Sequence, residues 1–245
     1  MDETALFYEL MPSKTLCTQA KKFGTKQSKN RVTLVLCCNS DGTHKFPLTM
    51  IGHSKYPRCF KQFNHSAYLD YFHNKKAWMT AKMFNTWIEN FDKEMRLLNK
   101  QAALILDNAP SHVCSTKITN TKLVFLPPNL TSIIQPLDAG IISCLKRKYK
   151  SKLVSSCIEC LESNKSFKIS LKMCVEMVTA AWQNISESTI KNCFLHCKIS
   201  DSQPVEIVED NDEAKKFDEK VNKLGLMANE DFFQQMSTFI LKMKF

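Results

Sequence analysis

The stretch spanning residues 104–138 limits the fold more than any other part of the chain, because it sets an Asp at each end of a strand, breaker, strand pattern. The apolar run 102–106 ends on Asp107, and Asn108-Ala109-Pro110-Ser111-His112 follows with a composition that stops a strand and lets a helix begin. A carboxylate is therefore expected at the C-terminal edge of a strand. A second apolar run, 123–126, leads through Pro127-Pro128-Asn129 and Gln135-Pro136-Leu137 to Asp138, 31 positions after Asp107. The two acids meet if the two runs are neighbouring strands of one sheet.

A length of 245 residues with 44% apolar content allows one sizeable core, with or without an appendage. The formal charge of +10 lies in residues 1–200, since residues 201–245 hold more Asp and Glu than Lys. A polyanion partner follows from that imbalance, with lysines that only solvate helix faces as the bland alternative. Eleven cysteines sit inside apolar runs and helical patterns, as Cys37, Cys38, Cys144 and Cys174 do, and read as reduced buried thiols of an intracellular protein. No apolar stretch reaches the roughly 18 residues of a membrane span, and residues 1–20 lack a secretory segment.

Along the chain, residues 12–30 are Lys-rich and turn-rich and read as a loop. Residues 31–39 and 45–52 form a hairpin signal around Asp41-Gly42, a pair suited to the positive φ of a tight turn. Residues 53–77 read as irregular and aromatic. Thr80 is placed to cap an amphipathic helix whose face carries Phe84, Trp87, Ile88, Phe91, Met95 and Leu98. That spacing makes Trp87 a core residue; Trp78, beside Lys75 and Lys76, is open to base stacking. A helix is expected near Asp138 with a stripe of Ile141, Ile142, Leu145, Tyr149 and Leu153, while Lys146, Arg147, Lys148, Lys150 and Lys152 cover its other faces. Two more helices follow, one carrying Leu171, Cys174, Val175, Val178 and Trp182, the other capped by Ser188. Residues 199–228 read as an acidic linker and 229–245 as an apolar-faced helix suited to a homo-oligomer contact. Cys157, Cys160, Cys193, His196 and Cys197 have zinc-ligand chemistry, but in helical patterns they read as buried thiols.

The element order, a hairpin, a helix, a strand ending in Asp, a strand and a helix opening on Asp, is that of an α/β ribonuclease H-like mixed sheet flanked by helices over residues 1–198. The blocks DETALFYELMPSKTL, RVTLVLCCNSDGTHKFPLTMIGHSKYPRCF, NKKAWMTAKMFNTWI, LILDNAPSH, LVFLPPNLTSIIQPLDAGII and AWQNISESTIKNCF occur in that order. In them the chain resembles the DDE-type catalytic domain of pogo and Tigger transposases and their jerky-like and centromere protein B-like relatives.

The resemblance implies a three-carboxylate site of Asp2, Asp107 and Asp138 holding two Mg²⁺ or Mn²⁺ ions. In-line displacement at a phosphodiester is served by two such ions roughly 3.5 to 4 Å apart. It also implies DNA as the partner and action in the nucleus; by their charge the basic residues 146–152 are suited to track its backbone, with an ordinary solvated face as the equal alternative. Asn108 and His112 border the site; His112 reads as structural or loop-exposed, with phosphate or water positioning as the alternative. Only Met1 precedes Asp2, so the first family strand is expected to be truncated, with Asp2 on a frayed terminus and the family's helix-turn-helix module missing. Weak or absent cleavage is expected on that ground. The alternative is a host-adopted module that binds DNA or a protein without cutting.

Overall fold

The computed structural model describes residues 1–10, 30–128, 131–163, 165, 167–199 and 219. β1 (Asp2–Leu6), β2 (Val32–Leu36) and β3 (Thr49–Gly52) form an antiparallel meander, and β4 (Asp70–His73) adds in parallel beside β3. β2 alternates two β-branched positions, Thr33 and Val35, with Leu34 and Leu36, and is buried at every position, as a central strand covered on both faces must be. Its register sets Asp2 opposite Leu36 and Leu6 opposite Val32. The expected hairpin is present, extended by a bridge between Cys38 and Lys45. At its turn Gly42 has φ 76°, and a Cβ there would come within 2.7 Å of Glu187 Cα, so position 42 admits little but glycine.

Helix α1 (Ala81–Leu97) follows β4, with Thr80 Oγ1 accepting from Met83 N as its N-cap. A second, parallel pair joins β5 (Ala102–Leu106) to β6 (Thr121–Phe125), Leu106 opposite Phe125. The two apolar runs are thus neighbouring strands. After α2 (Thr131–Ile134), a wide turn over Leu137–Ile141 leads straight into α3 (Ile142–Glu162). α4 (Leu171–Gln183) and α5 (Glu187–His196) complete the described elements.

The period-two alternation of the sheet divides the core. Leu6, Leu34, Leu36 and Met50 pack with Tyr149 and Leu153 of α3, Val178 and Trp182 of α4 and Ile190 of α5. Val35 and Ile51 face the other way, onto Phe84, Trp87, Ile88, Phe91 and Met95 of α1, with Leu104 and Leu106 of β5 in the same cluster. The result is a mixed α/β fold with helices on both faces of the sheet.

Four expectations change. The chain does form a strand at its start: β1 begins at Asp2 and runs forward from it, whereas the sequence reading looked for strand residues ahead of that Asp. Met1 is buried too, so this end is packed and not frayed. β4 lies in the segment expected to be irregular; its register with β3 orders a stretch too short and aromatic to show a period. Ser186 caps α5, accepting from Thr189 N, while Ser188 lies inside the helix. The loop at 12–30 falls outside the described residues except for Asn30, and the linker and helix at 199–245 fall outside them except for Ile199 and Glu219. Among the described residues no helix is long and apolar enough to cross a membrane.

Candidate active site

β1 delivers Asp2 to the face that carries Leu6 and turns Glu3 to the opposite one. The strand's start is tied down twice: the Met1 ammonium donates to Ile105 O (3.0 Å), and Gln135 Nε2, fully buried, donates to Met1 O (3.2 Å). Asp2 Oδ1 accepts from Glu3 N (2.8 Å), while its Oδ2 is buried without a hydrogen-bond partner among the described residues. Burial and then the neighbouring charge of Asp138 push the Asp2 carboxyl up to about 7.

Asp138 stands in the wide turn before α3. Burial also raises its carboxyl, with Asp107 adding repulsion and with Asp2's side chain and the charge of Lys146 acting against the rise. Lys146, two turns into the helical segment, is itself lowered by burial and held up by Asp138 and Asp2. The acids predicted at the ends of separate elements therefore share one electrostatic environment, with Lys146 as its counter-charge.

Asp107 follows β5 and is held from the turn after it. Its Oδ1 accepts from Ala109 N (3.2 Å) and lies 2.7 Å from His112 Nδ1. His112 Nε2 lies 2.9 Å from Glu3 Oε1. Of the two readings of His112, structural or loop-exposed, exposure is excluded: only 2% of the residue is exposed. Burial opposes its charged form, yet Glu3 and Asp107 outweigh that and raise its pKa. Asn108 Nδ2 donates to Leu126 O, so it joins the segments that follow β5 and β6. Glu3 is the residue the sequence reading passed over; its place beside Asp2 on the opposite strand face was the available signal.

The basic residues of α3 are not a solvated face. Lys146, Arg147, Lys148, Lys150 and Lys152 are all half-buried, and burial lowers Lys150 to about 8, aided by Lys146 one turn away. Trp78 is 55% exposed and carries the Arg31 guanidinium 4.9 Å from its ring centroid. Among the described residues the cysteines proposed as buried thiols form no disulfide, and Cys157 is pushed up to about 12 by burial. Among the described residues no group of three or more His, Cys, Asp or Glu side chains is gathered to hold a metal ion.

Sequence comparison decides the family of this chain: the model of the DDE superfamily endonuclease matches residues 29–194. The chain belongs to the DDE superfamily endonuclease family. Within this DDE family it is 32% identical over 193 residues to Tigger transposable element-derived protein 4 of Mus musculus, covering 78% of this chain and 37% of that one. It is 33% identical over 217 residues to CENP-B homolog protein 2 of Schizosaccharomyces pombe, covering 83% and 42%. With the human Major centromere autoantigen B the identity is 25% over 195 residues, covering 78% and 32%. The chain thus spans about two fifths or less of the length of these curated relatives. The DDE match includes Asp107 and Asp138 and leaves Asp2 outside it. No solved structure matches the chain.

The DDE family implies divalent metal, and the donors present suit one. Asp2 offers a buried, unpartnered oxygen beside a second raised carboxylate, which is the charge deficit that a hard cation fills. The fit is that of the pair Asp2 and Asp138, with Asp107 coupled to it through charge.

Proposed function

We propose that this chain is a DNA-binding nuclease core of ribonuclease H-like fold, whose acidic edge cleaves phosphodiester bonds with Mg²⁺ or Mn²⁺. The observation that carries the reading is the Asp2–Asp138 pair. Asp2 is a buried carboxyl raised by burial and then by the charge of Asp138 beside it, and two ionised carboxylates so placed are costly to a fold unless a cation shares the site. Asp2 and Asp138 would hold the metal, with Asp107 as the third carboxylate. Bound metal stabilises the attacking and leaving oxygens of an in-line displacement.

The remaining roles fall to the chain's own residues. Lys146, already turned to the acids, places a positive charge where a phosphate oxygen would enter. Arg147, Lys148, Lys150 and Lys152 extend that charge along α3, the arrangement that follows a DNA backbone through its phosphates and reads no bases. The printed names of the relatives, a transposable element-derived protein and a centromere autoantigen, support DNA as the substrate and the nucleus as the place of action. A homo-oligomer through residues 229–245 belongs to the same proposal and is tested by light scattering on the chain with and without that segment.

The deciding experiment is nicking of supercoiled plasmid DNA in Mg²⁺ or Mn²⁺, with Asp138→Asn and Asp107→Ala as comparisons. Metal-dependent nicking that both substitutions abolish, with DNA binding kept, is the expected result. Nicking that persists undiminished in Asp138→Asn would remove the reading. One observation favours a second reading, DNA binding without cleavage: Asp107 Oδ1 is already engaged by His112. That reading predicts retarded DNA on a gel and no nicked product from the wild-type chain.

A further inference from the structure

We infer that His112 is a positioning residue that ties Glu3 to Asp107 and so fixes how Asp107 is set against Asp2. Its ring is buried, with the Phe84 ring against it at 4.9 Å between centroids. Nε2 lies 2.9 Å from Glu3 Oε1; Nδ1 lies 2.7 Å from Asp107 Oδ1 and 3.2 Å from the Asp107 carbonyl oxygen. Both ring nitrogens face acceptor oxygens, so the imidazole is held from both sides. The ring is held in its turn by the backbone, His112 N donating to Ala109 O (2.9 Å).

The consequence follows from where each partner sits. Glu3 is the residue after Asp2 on β1, and Asp107 directly follows β5, so one imidazole joins β1 to the end of β5 and with them two of the three acids. Both contacts to the Asp107 carboxylate, from Ala109 N and from His112, fall on Oδ1. Oδ2 is then the oxygen presented for a cation. Without the ring, Asp107 is free to rotate about its side-chain bonds, and β1 loses its only side-chain link to the turn after β5 among the described contacts. Outer partners of this kind typically change metal affinity about 10- to 100-fold when removed.

This inference rests on the metal-binding part of the proposed function, and the test separates the two. Mn²⁺ affinity is measured by electron paramagnetic resonance on the whole chain, beside thermal melting and plasmid nicking. His112→Ala is expected to weaken Mn²⁺ binding about 10-fold or more. Glu3→Gln, which keeps the shape and removes the charge, is expected to weaken it in the same direction, and the double variant to be no weaker than His112→Ala. Thr80→Ala, remote from the acids, serves as the control for lost stability alone and is expected to bind Mn²⁺ like wild type. Folded His112→Ala with wild-type Mn²⁺ affinity overturns the inference; if that variant does not fold, unchanged affinity in Glu3→Gln overturns it equally. Wild type that binds Mn²⁺ without nicking sinks the nuclease reading while the affinities still decide the clamp. Wild type that binds no Mn²⁺ overturns both.

Discussion

Asp2 carries the sharpest consequence of burial at the level of a single residue. Its carboxyl titrates near 7 in the fold against 3.8 in its ordinary setting, so the folded state holds the proton more tightly than the unfolded one. The contribution of this group to stability is complete below about pH 4 and is lost as the pH rises through about 7. Asp92, whose carboxylate takes backbone donors from Thr119 and Asn120 and titrates below its ordinary value, slopes the opposite way. A comparison with Asp138→Asn removes the part of that rise that comes from the Asp138 charge and leaves the larger part, from burial. In chelator, the variant is expected to melt above wild type at pH 7 and to converge with it at pH 4, by differential scanning calorimetry. Mg²⁺ is expected to raise the wild-type melting temperature at pH 7 and to leave the variant nearly unmoved; equal shifts would show that the pair is not where the cation binds. The sequence made Asp107 and Asp138 visible because each ends or opens an apolar pattern. His112 was seen to border the site, but its tie to Glu3 was hidden, since the two lie 109 positions apart and no local period records such a contact.

At the level of elements, local chemistry accounts for what was legible. α1 was readable from its capping Thr80 and its spaced apolar face, and Thr80→Ala is expected to cost about 1 kcal/mol in urea unfolding. Ser186 and Ser188 are equally good caps by composition. The choice falls to Ser186 because its backbone is extended, φ −71° and ψ 152°, and its oxygen reaches Thr189 N. β4 was illegible because an edge strand of four residues, none of them fully buried, has no alternation to display. On α3 the pattern separated apolar from basic positions correctly, but it could not tell a solvated lysine from one drawn against the protein. Lys146 and Lys150 lie one turn apart, both depressed by burial. If they neutralise phosphates, Lys146→Gln with Lys150→Gln is expected to flatten the dependence of log affinity on log salt by about 2, for unrelated DNA sequences alike. An unchanged slope in a fluorescence anisotropy titration would place the DNA elsewhere.

Across the whole molecule, the acidic edge depends on layers that the chain brings together from distant segments. The sheet is gripped from both sides, and a few directed bonds fix the layers: Trp182 Nε1 donates to Phe46 O at 2.8 Å from α4, and Tyr149 Oη donates to Tyr8 O at 2.7 Å from α3. Neither pairing is visible in sequence, since each joins segments more than 130 positions apart. The order of elements told that helices flank the sheet, but not which side chain stands behind which acid. That relation is set by register: Leu36, fully buried, is the partner of Asp2 across the β1 and β2 ladder, whereas Leu153, equally buried, packs from α3 without facing an acid in any ladder. Leu36→Ala and Leu153→Ala are both expected to cost about 2 to 5 kcal/mol in chemical denaturation, because each leaves a cavity in a filled core. Only Leu36→Ala should also weaken Mn²⁺ binding and nicking beyond its effect on stability, since the cavity lies where β1 is held in place. If the two variants lose metal affinity to the same extent, the geometry of the acids is set by overall stability and not by the register of β1 on β2.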